Sequence, residues 1–351
     1  MSVRHIIQTF ETWRATGAPI VLATVYETLG STYSKAGHRI LIAANGDYRG
    51  LVSGGCLEGD LAERSRAVLA NDSAAAVTYD LRDEVDEVFG LGVGCNGLLR
   101  VFLQPLQAAR SYQPFAAIAD ALAGTERAGV ATVVESRDAA LPAGATVIVR
   151  ASSHLAFDVA GGAAELLAQR TRAAMAAGAA ELAVGGGTTV LHALLKPIPK
   201  LLVLGAGLDA VPLVAMAAEL GWFVTVADHR PAYVARDGFQ RAVRTLLVDP
   251  AALDLSLRLE EFDAIVVMSH HLTTDRKYLT QLASVNTRYL GVLGPRARRE
   301  RLLAELGEQG VTLRARLRGP VGLDLGADSP ESIALSILAE LQTTLSGGKR
   351  Q

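Results

Sequence analysis

Cysteine is scarce in this chain: Cys56 and Cys95 are the only two among 351 residues. That excludes a disulfide-stapled scaffold. CxxC pairs and HxxxH spacing are also missing, which argues against a structural zinc site. Aromatic residues make up only 5%, and much of the 50% apolar fraction is alanine. Net charge is nearly absent as well, with 34 basic against 36 acidic residues and a formal charge of −2. A broad basic surface for nucleic acid is therefore not expected. No charge-free apolar run reaches the roughly 18–20 residues that cross a bilayer. The longest candidate, Leu201 to Ala227, is broken by Asp209 and Glu219. The first residues lack the apolar core of a signal peptide. They place Ile6, Ile7, Phe10 and Trp13 at helical spacing instead. The expectation is a cytoplasmic protein without a membrane span, whose two thiols are free.

What is present reads as an α/β chain of two domains. Ile20–Tyr26, Arg39–Ala43 and Leu98–Leu103 are β-rich runs separated by glycine-rich turns, and a helix follows Cys56 to about Leu69. Phe115–Ala123 predicts a helix, Ala131–Glu135 and Thr146–Val149 predict strands, and an alanine-rich helix follows near Ala163–Ala177. Residues 1–110 are taken as a mixed, β-rich α/β domain, with the α/β segment 111–197 packed against it. The run KPIPK at Lys196–Lys200 reads as a linker. Beyond it strands and helices alternate over 198–351. That pattern predicts a Rossmann-like, doubly wound parallel sheet. The last helix spans about Pro330–Leu345, with Asp328 or Ser329 as its cap.

Leu201 to Ala210 reads LLVLGAGLDA. Gly205, Gly207 and Ala210 fit G-x-G-x-x-[GA] between a strand and a helix, and Asp228 ends the next strand, where an acidic residue would hold a ribose hydroxyl. A nucleotide is thus one candidate ligand; a loop kept for packing is the other reading. His229, His270 and His271 fall at or past strand ends, where such sheets place ligands. Four arginines in 295–301 could meet phosphate or form a solvated helix face.

Cys56 lies in SGGCLEGD (53–60), after Gly54 and Gly55 and before a helix. A thiolate there is favoured by the helix dipole, and the glycines leave room for a bulky group. Glu58 and Asp60, in the first turn, would partly offset it. Cys95 follows Gly94 in LGVGCNG (91–97). Each thiol could be a nucleophile, a persulfide carrier or a soft ligand to a soft metal; a pair of small buried hydrophobes is the alternative. The polar loop 28–39, with Gly30 and Ser31, is either an anion-accepting turn or an ordinary hairpin connection.

These segments together resemble the XdhC/CoxI family, the accessory factors of xanthine and carbon monoxide dehydrogenases. The N-terminal text is LGSTYSKAGHRILI, GLVSGGCLEGD, YDLRDE and LGVGCNGLLRVFLQPL. The C-terminal text includes LLVLGAGLDAVPLVAMAAELGWFVTVADHRPAY, VVMSHHLTTDRKYL and YLGVLGPRARRERLL. Thr32, Tyr33, Ser34 and Lys35 replace the proline and arginine usual after the serine, Leu208 replaces the usual His or Pro, and Pro295-Arg296 a serine-arginine pair. The resemblance implies a chaperone of the pyranopterin molybdenum cofactor (molybdopterin) rather than an enzyme. It implies a cysteine desulfurase and a molybdenum hydroxylase client as partners, and self-association as a homo-oligomer. The candidate cofactor-binding set is Gly30, Ser31, Gly54, Gly55, Cys56, Glu58, Gly94, Cys95, Gly205, Gly207, Asp228 and His270, with Cys56 a candidate molybdenum ligand. An NAD(P)- or FAD-dependent oxidoreductase is the rival reading, and a purely structural scaffold a third.

Overall fold

The computed structural model describes residues 2–82, 97–159 and 161–347. Its contacts divide the chain into two units, Met1–Pro197 and Ile198–Gln351.

The first unit begins with α1 (Val3–Arg14), β1 (Ile20–Gly30), β2 (Arg39–Ala43), β3 (Tyr48–Arg49), α2 (Glu58–Asn71), β4 (Ala75–Asp80) and β5 (Gly97–Leu106). These strands form one antiparallel sheet in the order β3-β2-β1-β5-β4. It continues with α3 (Phe115–Ala123), β6 (Ala128–Ser136), β7 (Thr146–Val149), β8 (His154–Phe157), α4 (Gly161–Ala177), β9 (Glu181–Gly185) and β10 (Thr188–Leu195). The second antiparallel sheet runs β8-β7-β6-β10-β9.

Alternation along β1 decides how these layers stack. Val21, Ala23 and Val25 pack with Leu57, Leu61 and Val68 of the α2 region, while Ile20, Leu22 and Tyr26 face the other way. That second face shares a core with Phe10, Phe115, Val130 and Leu191, so it joins both sheets of this unit. Tyr26 donates its hydroxyl to Glu135 Oε1 at 3.0 Å, and Thr189 donates to Oε2 at 3.2 Å. Strands β3, β4, β8, β9 and β10 are not expected from the sequence. Central β10 is buried on both faces and so lacks the alternation that marks a half-buried strand.

The second unit holds β11 (Lys200–Leu204), α5 (Ala210–Glu219), β12 (Phe223–Asp228), α6 (Pro231–Val234), β13 (Arg244–Leu247), β14 (Ala264–Val267), α7 (Leu272–Leu282), β15 (Tyr289–Val292), α8 (Arg296–Glu305), α9 (Glu308–Arg314), β16 (Leu317–Arg318) and α10 (Pro330–Ser346). Its sheet is parallel throughout, in the order β13-β12-β11-β14-β15-β16. This is the doubly wound Rossmann order, with the topological switch between β11 and β14. Leu201 and Val203 face a core with α5 and α10, whereas Leu202 and Leu204 face one with α7, α8 and α9. Ser329 caps α10 in a capping box with Ser332.

Candidate functional site

In the first unit the segment before α2 is held from within. Glu58 is fully buried. Its Oε1 accepts the N–H groups of Val52 (2.7 Å) and Ser53 (3.0 Å); its Oε2 accepts the Ser53 hydroxyl (2.7 Å) and the Gly55 N–H (3.0 Å). Ser53 Oγ in turn accepts the Leu57 N–H at 2.8 Å. Burial pushes the Glu58 carboxyl upward, but these donors outweigh it and hold it below the ordinary carboxylate range. Glu58 is therefore not the solvated first-turn charge that its position in the helix predicts. Asp60, too, is committed: Tyr79 and Arg64 both donate to its Oδ2 at 2.6 Å. Both carboxylates thus stay ionised in the first turn of α2, each bound to donors of this unit.

Gly54 and Gly55 have φ of +83° and +118°, in the region that favours glycine. They turn the chain so that Cys56 is exposed, one residue before the Leu57 cap of α2. Among the described residues no atom stands within 4 Å of a Cβ built on Gly55.

The turn after β1 meets this segment. Ser34 is buried and donates to Val52 O at 2.6 Å, and Thr32 donates to Ser34 O at 2.8 Å. Gly97, at the start of β5, lies so close that a Cβ there would stand 2.6 Å from Ser31 O. A small, mostly apolar recess is lined by Ser31, Thr32, Tyr33, Val52, Leu57 and Leu99. Of the predicted residues, Gly30, Ser31, Gly54, Gly55, Cys56 and Glu58 thus belong to one neighbourhood. Gly94 and Cys95 lie outside the described residues. Tyr33 and Ser53 are not among the predicted site residues; Ser53 stands inside the cysteine motif, and Tyr33 departs from the family text.

In the second unit the predicted residues lie at the carboxyl ends of β11, β12 and β14. Asp228 is fully buried and saturated. Its Oδ1 accepts the Arg230 N–H and Nε–H, both at 2.9 Å; its Oδ2 accepts Arg230 Nη2–H (2.7 Å) and the Ala206 N–H (2.8 Å). Burial pushes its carboxyl up, and the Arg230 and Ala206 donors more than reverse that. Both oxygens of Asp228, the residue expected to hold a ribose hydroxyl, here hold the protein's own loop.

Gly205, at φ +132°, is dictated by the neighbouring strand, since a Cβ there would lie 2.4 Å from Met268 O. A Cβ on Gly207 would lie 2.3 Å from Asp209 Oδ1. The Asp209 carboxylate thus lies beside the second glycine of the loop. His270 Nε2 stands 2.7 Å from Asp209 Oδ2 across the switch point. His270 has φ +62°, a conformation rare outside glycine, and its side chain is exposed. In the sequence Asp209 stands out only as an interruption of an apolar run; its place within the glycine motif is the available signal.

His271 occupies the N-cap position of α7 without a side-chain cap bond, and its Nδ1 stands 3.0 Å from Thr274 Oγ1. Arg298 donates to Asp275 at 2.7 Å, and Arg299 to Leu317 O and Arg314 O. Among the described residues no three His, Cys, Asp or Glu side chains gather as a metal site, and no helix is long and apolar enough to cross a membrane.

Comparison with known proteins places both units. Residues 13–80 match the model of the XdhC and CoxI family, and residues 201–341 match the XdhC Rossmann domain. A protein of Bacillus subtilis (strain 168), named as a probable xanthine dehydrogenase subunit, is 33% identical over 334 residues, covering 92% of each chain. The molybdenum cofactor insertion chaperone PaoD of Escherichia coli (strain K12) is 22% identical, over 93% of this chain and 83% of that one. A crystal structure described as a xanthine dehydrogenase from Bacillus halodurans superposes with a TM-score of 0.79. It is 28% identical, and the match covers 100% of this chain and 97% of that one.

Proposed function

The chain belongs to the XdhC and CoxI family, and from that membership we propose that it is a cytoplasmic maturation factor for a xanthine dehydrogenase-type molybdenum hydroxylase. On this reading it binds molybdenum cofactor, supports its sulfuration by a cysteine desulfurase and hands it to the client enzyme. It acts as a homo-oligomeric carrier rather than as an enzyme.

The observation that carries the reading is Cys56: an exposed thiol on a segment whose backbone is fixed by a buried carboxylate and bared by two glycines. A thiolate is a soft donor suited to molybdenum or to sulfur handling. The residues therefore fit the group. When bound, the cofactor supplies the molybdenum–sulfur chemistry. This chain supplies Cys56 Sγ, the Glu58 anchor that orients it, and an open glycine surface on which a flat ligand can rest. The oxidoreductase alternative has less to stand on. Asp228 is engaged by Arg230 and Ala206, and Asp209 places a carboxylate beside Gly207 of the glycine loop.

The test is co-purification from cells that make the cofactor, read as fluorescence of its oxidised pterin. Wild type is expected to carry pterin and Cys56→Ser to lose most of it. Equal pterin in both would remove Cys56 from the site, and none in either would overturn the carrier role.

A further inference from the structure

Tyr33 is a large aromatic side chain left 62% exposed on the turn beside the Cys56 segment. Its surroundings are not those of a loose surface residue. Ser34, its neighbour, is anchored to Val52 O by a buried hydrogen bond of 2.6 Å, and Thr32, on the other side, donates to Ser34 O. The base of the turn is pinned by the close approach of Gly97 to Ser31 O and Leu29 O. The ring therefore projects from a fixed support. Its Cδ2 and Cε2 atoms lie 3.7 and 3.9 Å from the point where a Cβ on Gly54 would stand. The ring edge is thus against the glycine turn, while most of its surface remains open to solvent. Among the described residues nothing lies within 4 Å of the Cβ position of Gly55, next along.

An exposed aromatic ring on a rigid base, beside bare backbone, is a platform for a flat heteroaromatic group. We propose that Tyr33 binds the pterin ring system of the molybdenum cofactor by stacking. Gly54 and Gly55 admit its edge, and Cys56 marks the end at which the metal is handled. This rests on the carrier reading above and adds to it the part of the cofactor that the first unit grips. Tyr33 makes the contact with its ring, so its hydroxyl is dispensable.

The experiment compares full-length wild type, Tyr33→Phe and Tyr33→Ala, purified from cofactor-producing cells. Oxidised-pterin fluorescence gives the amount retained. A titration of cofactor-free protein with 6-hydroxymethylpterin gives the stacking signature, which is quenching of pterin emission. Tyr33→Phe is expected to match wild type in both. Tyr33→Ala is expected to retain roughly tenfold less pterin, equivalent to about 1.4 kcal/mol, and to lose the quenching. The exposed position means that circular dichroism and the thermal midpoint should not move. Retention and quenching in Tyr33→Ala equal to wild type would overturn the proposal while leaving the carrier reading intact. So would full retention with failed delivery to a client, which would make Tyr33 a docking contact. Wild type without pterin would instead overturn the carrier reading, and this proposal with it.

Discussion

Gly55 donates its backbone N–H to Glu58 Oε2 at 3.0 Å, which ties the glycine before the exposed thiol to a fully buried carboxylate. The same carboxylate collects three further donors, from Val52 and Ser53. It organises the Cys56 segment without itself being on the surface.

Glu58→Ala should therefore act on two properties together. Stripping four donors of one buried acceptor is expected to cost about 2–4 kcal/mol in a denaturant titration. Retained pterin should fall as in Cys56→Ser, although the thiol is still present. Full pterin retention in Glu58→Ala would contradict the anchoring role. The folded-state pKa of Glu58 is depressed. Its contribution is thus present above the unfolded carboxylate pKa and is lost as pH falls through the lower folded value.

His192 on β10 supplies a second pH dependence. It is fully buried; burial, with some repulsion from Arg170, lowers its pKa from 6.5 to about 4. Thr171 already donates its hydroxyl to Leu167 O, so it accepts from His192 Nδ1–H, which leaves Nε2 as an unpartnered acceptor. The folded chain resists protonating this ring. Its stabilising contribution is complete above pH 6.5 and is lost as pH falls toward 4, by up to about 3 kcal/mol. The stability of wild type relative to His192→Leu, followed by thermal midpoints, should fall steadily as pH drops from 6.5 toward 4. Parallel curves would refute the assignment.

Nucleotides should not bind the second unit. Saturating NAD(H), NADP(H) or FAD is expected to leave the thermal midpoint of wild type in place. A ligand at a hundred times its dissociation constant would stabilise by about 2.7 kcal/mol, so the experiment has the reach to disprove this. Asp209→Asn keeps an acceptor for the partly exposed His270 Nε2 contact, and its stability should change by less than about 1 kcal/mol.

Two glycine replacements should move stability in opposite directions. Gly205→Ala places a methyl 2.4 Å from Met268 O at a φ of +132° and is expected to cost about 3 kcal/mol or more. Gly59→Ala falls in the first turn of α2 with nothing within 4 Å, and should stabilise by about 0.5–1 kcal/mol. Denaturant midpoints of the two variants check both signs.

Much of the second unit was legible in the sequence. Its strands are short apolar runs set between helical patterns, and that alternation leads to a parallel sheet by the handedness and length of its connections. The cap at Ser329 was legible for the same reason, because capping is chemistry between residues three apart. In the first unit the alternation of β1 is plain, whereas β10 escapes a local pattern because both of its faces are buried.

The sequence by itself determined the family, the Rossmann architecture and the two glycine-flanked cysteine motifs as places to look. Only the tertiary structure decided which groups in them are free. Asp228 looks available for a ribose until Arg230 and Ala206 take its oxygens; Glu58 looks like a surface charge until the Val52–Gly55 backbone closes over it. A carboxylate's role depends on which donors reach it, and those donors come from turns and strand ends whose approach no local pattern encodes. Cys56 is exposed on a segment whose neighbouring backbone is bound by Glu58, a pairing that only the folded chain brings about.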